Sequence, residues 1–110
     1  MKKTRHATIY QIKDIAAVDY AFREFDPKKF RFSDYQKVYE LDVDATNKLY
    51  TDILEELFNM FNDYSIRPKD FTGHSMSVSD VVVLDGKAYY CDAWAWSNVG
   101  DLNDIIKNYS

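Results

Sequence analysis

The dipeptide Asp85-Gly86 constrains the fold of this chain more than any other feature of its sequence. It separates the largely β-branched run Val78 to Leu84 from a second strand-like run, Lys87 to Trp94. Both positions of a two-residue hairpin turn require positive φ, a conformation that Asp and Gly adopt more readily than most residues. The sequence therefore predicts a hairpin in the carboxyl-terminal part of the chain, within a mainly antiparallel sheet.

Two more strands are predicted in the amino-terminal half. Ala7 to Lys13 is rich in β-branched and aromatic residues, and Tyr35 to Val43 nearly alternates between apolar and polar side chains. The stretch between them, Ile15 to Phe25, carries apolar residues at helical spacing. It predicts a short helix that Asp14 caps and Asp26-Pro27 ends, because a residue before proline avoids the helical region.

The clearest helix is predicted over Asn47 to Asn62, with Asp44 or Thr46 as its cap. Its apolar residues form one broad stripe, namely Leu49, Ile53, Leu54, Leu57, Phe58 and Phe61. After the hairpin, Ser97 to Gly100 reads as a turn and Asp101 to Asn108 as a terminal helix.

These elements predict an α+β fold: a small, mainly antiparallel sheet with a C-terminal hairpin, packed against two or three helices on one side. A length of 110 residues suits a single domain, which we place at residues 1–110. Aromatic residues make up 16% of the chain, above what an ordinary core needs. Either the core is unusually aromatic, or some of these rings lie on a surface that binds a partner.

Charge is distributed unevenly along the chain. The net charge is −4, with an excess of basic residues up to Lys37 and an excess of acidic residues from Val38 onward. Backbone binding to nucleic acid needs clustered Lys and Arg, so we expect no general nucleic-acid binding. The acidic part would instead suit a basic protein partner. The basic aromatic stretch Lys28 to Phe32 keeps an accessory DNA-binding role open as a further alternative.

The chain carries one cysteine, Cys91, which excludes an internal disulfide framework. Its amino-terminal stretch has no apolar run of signal-peptide length, and no segment approaches a membrane span. We therefore expect a cytoplasmic protein without membrane contact. No metal-ligand spacing and no glycine-rich phosphate loop occur, so no metal and no cofactor are expected.

One segment is specified beyond the needs of packing. GHSMSVSDVVVL at residues 73–84, followed by DGKAYYCD at residues 85–92, resembles the core of the YodL-like domain family. YQIKD, YAF and DYQKVYE, upstream, are similar to the rest of that domain. The resemblance extends from Tyr10 to about Trp96, and the motif is specific rather than generic.

The resemblance implies a small bacterial domain that often accompanies antirestriction-type modules in conjugative elements and related mobile DNA. It supplies no catalytic residues. We therefore expect a non-enzymatic accessory domain that binds a host protein and acts as an inhibitor of a basic defence nuclease of the CRISPR or restriction type. The chain departs from the family at CDAWAW, residues 91–96, where Trp94 and Trp96 have no assigned role.

The motif also admits a chemical alternative. The motif residues are His74, Ser75, Ser77, Ser79 and Asp80. His74 would act as a general base for a serine or for Cys91, oriented by Asp80 or Asp92, in a small enzyme or ligand-binding domain. The structural interpretation is that Ser77 to Asp80 orient the chain as it enters a buried strand, through bonds from side chain to backbone.

The candidate partner-binding residues are Tyr90, Asp92, Trp94 and Trp96. Alternation along one extended strand would place them together on one face, with Cys91 on the opposite face. Tyr and Trp carry much of the binding energy of protein interfaces, so this face is expected either to bind the partner or to fill the core.

Overall fold

The computed structural model describes residues 3–110 and contains an antiparallel sheet of five strands. The strands are β1 (Thr4–Ile12), β2 (Tyr35–Asp44), β3 (Val81–Leu84), β4 (Lys87–Cys91) and β5 (Trp96–Asp101). Their order across the sheet is β2-β1-β3-β4-β5. Asp85 and Gly86 join β3 to β4 at φ values of 46° and 86°, the positive pair that a tight turn of this kind requires.

Two α-helices complete the regular structure, α1 (Tyr50–Asn62) and α2 (Leu102–Asn108). The predicted α+β class is therefore confirmed, and most of the regular structure is sheet. Short 3₁₀ turns lie at Ile15–Ala17 and Phe32–Asp34. In the part of the chain that the structure describes, no helix is long and apolar enough to cross a membrane.

One face of the sheet is covered by α1. Ile53, Leu54 and Leu57 project from the helix into a cluster with Ile9 of β1 and Val82 of β3. Leu57 is almost wholly buried, as are the strand residues that it packs with. This aliphatic contact is what the apolar stripe of the sequence predicts. Apolar residues spaced three or four positions apart lie on one face of a helix, and that face packs against the sheet.

The opposite face is covered by an irregular segment, residues 18–31, together with α2. Phe30 is fully buried at its centre, and Ile105 of α2 packs in the same cluster. Phe30 is surrounded by the rings of Tyr20, Phe25, Tyr35, Tyr90 and Tyr109, at centroid distances of 5.1 to 6.2 Å. The expectation that the sheet is covered on one side only is therefore wrong, and much of the aromatic surplus fills this second core.

The predicted helix over Ile15 to Phe25 is also wrong, since only Ile15–Ala17 forms a 3₁₀ turn. Phe22 stands at φ 63°, which no right-handed helix permits. The backbone of this segment is bonded to distant side chains: the Phe22 N–H donates to Ser79 Oγ, and the Phe25 N–H donates to Asp92 Oδ1. These tertiary acceptors replace the carbonyls that a helix would have offered.

The helix α1 begins three residues later than predicted, and neither predicted cap holds it. Asn47 has φ 56°, which interrupts the helical path. Asp44 accepts a bond from the Thr46 N–H instead of capping α1. At the true start, the carboxylate of Asp52 accepts a hydrogen bond from the Leu49 N–H at 3.0 Å. The carboxylate of Asp52, in the first turn of α1, therefore accepts from a backbone N–H at the start of the helix that has no partner within the helix.

The single strand predicted from Lys87 into Trp94 and beyond is in fact two strands joined by a turn. The Asp92 N–H donates to the Ala95 carbonyl at 2.9 Å, and Cys91 pairs with Trp96 across β4 and β5. Residues 97–100, predicted as a turn, lie within β5. These residues have a turn-forming composition, but their pairing with β4 makes them a strand. Gly100, at φ 114°, lies beside the point where the register between β4 and β5 shifts.

Candidate functional site

The 73–80 segment is the irregular stretch that enters β3, and Gln11 of β1 holds it in place. The Gln11 side chain is buried, accepts a bond from the His74 N–H at 3.2 Å and donates to the His74 carbonyl at 2.9 Å. Gly73 lies so close that a Cβ atom there would overlap Gln11 Oε1 and the ring of Phe71. The glycine and the glutamine therefore form one close contact between the motif and the sheet.

Asp80 is the buried charge of this segment. Its carboxylate accepts bonds from Gln11 Nε2 and from the Ser77 N–H, each at 3.0 Å, while its carbonyl accepts a bond from the Cys91 N–H. Burial raises the pKa of Asp80 to about 6, and the bonds from Ser77 and Gln11 and the nearby His74 oppose that rise. Asp80 thus ties the entry of β3 both to β1 and to the end of β4.

His74 and Cys91 do not face a common cavity. The exposed imidazole of His74 bonds through Nδ1 to the Ser75 carbonyl at 2.7 Å and lines a cleft of about 520 Å³ beside Lys13 and Gln36. Cys91 lines a different cleft, of about 200 Å³. Burial, followed by the charges of Asp80 and Asp92, raises the pKa of the Cys91 thiol to about 12, so it stays protonated near neutral pH.

The three serines of the motif have different surroundings. Ser75 Oγ accepts a bond from the Arg67 guanidinium at 2.8 Å, and the buried Ser77 Oγ has no partner among the described residues. Ser79 stands at φ 84°, where its Oγ accepts the Phe22 N–H and its carbonyl accepts the Tyr35 hydroxyl. Ser79 thus anchors the chain at the start of β3, as the structural interpretation of this stretch expects, whereas the Ser77 hydroxyl takes no part in that role.

The residues predicted to share one strand face are separated by the turn at residues 92–95. Tyr90 is fully buried in the aromatic cluster, and its hydroxyl donates to the Arg23 carbonyl at 2.8 Å. Trp96 packs on the opposite side of the sheet, against the cluster that contains α1. The expectation of a common face for Tyr90, Asp92, Trp94 and Trp96 is therefore wrong.

Trp94 lies in this turn and is 94% exposed. Asp92 fixes the turn, because its carboxylate accepts hydrogen bonds from the Phe25 N–H at 2.6 Å and from the Ser97 hydroxyl, while its own N–H donates to Ala95. An aromatic side chain is thus presented to solvent on a short segment tied to the irregular covering of the sheet.

Two clefts border Trp94, and each brings an acidic side chain beside it. The first, of about 200 Å³, includes Glu55 and Phe58 of α1. The second, of about 300 Å³, includes Glu24 and Phe25 of the irregular segment. Asp92 lines both clefts. The surface made by Trp94, Asp92, Glu24 and Glu55, called the Trp94 surface below, therefore combines one exposed indole with three carboxylates.

Gln11 and the acidic neighbours of Trp94, Glu24 and Glu55, are not among the residues that the sequence patterns predict. A polar residue between Tyr10 and Ile12 in an otherwise apolar strand was the available signal for Gln11. No signal linked Glu24 or Glu55 to Trp94, because they come from segments distant in sequence. Within residues 3–110, no group of three or more His, Cys, Asp or Glu side chains could hold a metal ion.

Comparison of this chain with known proteins supports the family that residues 73–92 resemble. The family model described as the YodL-like domain matches residues 6–102. A Bacillus subtilis (strain 168) protein described as "Uncharacterized protein YodL" is 30% identical over 60 residues, which are 51% of this chain and 56% of that protein. The chain thus spans little more than half of that relative. No solved structure matches.

Proposed function

We propose that this chain, which belongs to the YodL-like domain family, is a non-enzymatic protein-binding domain of bacterial mobile elements. It acts by occupying a surface of a host protein, and a defence nuclease of the CRISPR or restriction type is the partner that we expect. The observation that carries the proposal is the Trp94 surface, an exposed indole on a fixed turn among three carboxylates.

Exposure of Trp94 leaves a large apolar area in water that the fold itself does not use. Tryptophan is among the residues whose removal weakens protein interfaces most, often by about 2 kcal/mol or more. Because Asp92 holds the turn through the Phe25 N–H and the Ser97 hydroxyl, the ring is offered from a braced position. A braced ring loses less conformational freedom on binding than one on a loose loop would.

The carboxylates around Trp94 favour a basic partner. The face of an indole attracts a lysine or arginine side chain, and Glu24 and Glu55 stand where they can pair with further cations of the partner. The excess of acidic residues from Val38 onward acts in the same direction. Nucleases present basic channels to DNA, so their surfaces supply the required charge.

A small enzyme or ligand-binding domain centred on His74, Asp80 and Cys91 has less support. Gln11 connects His74 with Asp80, but the Cys91 thiol lines another cleft and has a raised pKa. A nucleophile of that kind needs a lowered pKa and a base within hydrogen-bond reach. Binding through the Trp94 surface requires neither.

The proposal is tested with purified protein and a panel of purified CRISPR effectors and restriction endonucleases at low and high salt. One nuclease should bind stoichiometrically, lose DNA cleavage, and release the domain as salt is raised. Trp94→Ala should weaken this binding by about 30-fold. Tyr64→Ala removes an 80% exposed ring that lines neither cleft, and it should leave binding unchanged.

Failure of the whole panel to bind would contradict a nuclease partner. Equal binding by wild-type protein and Trp94→Ala would contradict the Trp94 surface whatever the partner is. If DNA cleavage persists in a saturated complex, the domain binds the nuclease without inhibiting it. That result would contradict inhibition and leave the binding role standing.

A further inference from the structure

Phe22 is an exposed aromatic residue in a conformation that is unfavourable for it. Its ring is 53% exposed, and its φ of 63° lies in the left-handed region. Bulky side chains rarely occupy that region, and such strain concentrates at functional sites. No ring–ring contact in the described part of the chain includes Phe22, and the partly buried side chains of Ala21 and Phe25 pack against the buried cluster instead. The fold makes little use of the ring.

Motif residues hold the strained backbone in place. The Phe22 N–H donates to Ser79 Oγ at 3.1 Å, and Ser79 itself stands at a φ of 84°. One residue further along, the Arg23 carbonyl accepts the buried Tyr90 hydroxyl at 2.8 Å. The Phe25 N–H then donates to Asp92 at 2.6 Å. Ser79, Tyr90 and Asp92 thus fasten residues 22–25 at successive points.

The same contacts connect Phe22 to the Trp94 surface. Asp92 bonds both to the segment that carries Phe22 and to the turn that carries Trp94. Glu24 and Phe25, which come two and three residues after Phe22, line a cleft with Trp94. Phe22 and Trp94 therefore belong to two segments that one carboxylate holds together.

We infer that Phe22 is a second contact residue for the protein partner, and that Ser79 and Asp92 are positioning residues that hold it there. This inference rests on the proposed function and adds Phe22 to the partner-binding surface that contains Trp94. The occupant is a basic segment of a host protein, with a cation against Trp94 and Glu24 and an apolar side chain against Phe22. Charge complementarity with Glu24, Glu55 and Asp92 selects such a segment.

The test replaces Phe22 by asparagine, which tolerates positive φ but has no ring. Relief of strain then offsets the lost partial burial, so the melting temperature should change by less than about 4 °C. Binding should weaken by about 10-fold or more. The matched control is Ile66→Asn, at a 59% exposed position without positive φ whose N–H bonds locally to the Asp63 carbonyl and not to Ser79 or Asp92. This control should leave binding unchanged.

The dissociation constant is measured by calorimetry against the nuclease panel and against a synthetic peptide of alternating arginine and leucine. Loss of binding in Trp94→Ala with full binding in Phe22→Asn overturns the inference and leaves the proposed function standing. Equal binding by both variants and the wild type overturns both, as does a wild type that binds neither probe. A fall in melting temperature above about 8 °C in Phe22→Asn places the ring in the folding core and also overturns the inference.

Asp92 allows the positioning role to be separated from a merely structural one. Asp92→Asn keeps an oxygen acceptor for the Phe25 N–H, whereas Asp92→Ala removes it. Asparagine should restore binding to within about threefold of the wild type, since it loses one rim charge only. Alanine should weaken binding by about 10-fold. Equal weakening by the two variants would show that the charge acts directly, and would remove Asp92 from the positioning set.

Discussion

The two faces of the sheet are covered in different ways. On one face, α1 contributes Ile53, Leu54 and Leu57 at helical spacing, so a periodic local pattern sets which residues are buried. On the other face, residues 18–31 have no helix or strand, and two of their backbone N–H groups, those of Phe22 and Phe25, bond to side chains 57 and 67 positions away in the sequence. A regular covering is thus encoded locally, and an irregular one is encoded by distant polar residues.

This difference gives a structural role to three polar side chains of residues 79–92. Ser79 and Asp92 accept backbone donors of the irregular segment, and Tyr90 supplies a hydroxyl to one of its carbonyls. Buried backbone groups without a partner are costly, so a covering without secondary structure needs such side chains. The irregular segment also carries Phe22 and contributes Glu24 and Phe25 to one cleft beside Trp94, whereas α1 contributes Glu55 and Phe58 to the other.

The largest expected effect concerns the buried centre of each face. Phe30→Ala should lower the free energy of unfolding by about 4 kcal/mol, because it removes a fully buried ring and leaves a cavity among the surrounding aromatic side chains. Leu57→Ala, its counterpart under α1, should lower it by about 3 kcal/mol. Urea denaturation measures both. A loss below about 1 kcal/mol for Phe30→Ala would show that the irregular covering is not part of the cooperative fold.

A second effect tests the junction between the faces, where Asp80 is buried. Burial raises the pKa of Asp80 to about 6 from an ordinary value of 3.8, so between these values the folded protein binds more protons than the unfolded chain. Stability should therefore fall by about 2 kcal/mol as the pH rises from 4 to 6. The titratable neighbours of Asp80 are His74, Cys91, Tyr35 and Tyr90, and the raised pKa values of the thiol and of the two phenols keep these three groups neutral throughout this range.

Asp80→Asn is the control for this pH dependence, since it keeps an acceptor for the Ser77 N–H without a charge. Its stability should change less across the same pH range. A wild-type stability that rises with pH between 4 and 6 would contradict a buried, destabilised carboxylate at this position.

The smallest effect concerns His6, which joins β1 to β2 at the exposed edge of the sheet. Its hydrogen bond to Asp42, at 3.0 Å, raises the pKa of His6 above 6.5. The stabilisation is therefore complete below pH 6.5 and is lost as the pH rises through the folded pKa. Because the pair is exposed, the loss should stay below about 1 kcal/mol, and His6→Gln should abolish it. A stability that increases over this range would contradict the pairing.

Sequence reasoning reached the elements whose signals are local. The α+β class followed from the order of the elements, and β1 from its β-branched and aromatic composition. The strand β2, the body of α1 and the terminal helix α2 followed from the spacing of their apolar residues. The family motif also pointed to Ser79, Asp80 and Asp92, which the structure places at the contacts between segments.

Other features depended on tertiary contacts that no local pattern records. Phe22 and Phe25 stand at helical spacing, yet their N–H groups bond to Ser79 and Asp92, and the helix does not form. The turn at residues 92–95 contains no Gly or Pro, so alternation was extended through it and misplaced Trp96. Ser97 to Gly100 have turn-forming composition, and only pairing with β4 makes them a strand.

Ser79, Tyr90 and Asp92 hold the irregular segment against the sheet, and amide hydrogen exchange at Phe25 tests this most directly. In the wild-type protein the Phe25 N–H should exchange slowly, because it donates to the Asp92 carboxylate. In Asp92→Ala it should exchange at least about 10-fold faster, while the amides of α1 keep their wild-type rates. Fast exchange of Phe25 in the wild type, or an unchanged rate in Asp92→Ala, would contradict the account.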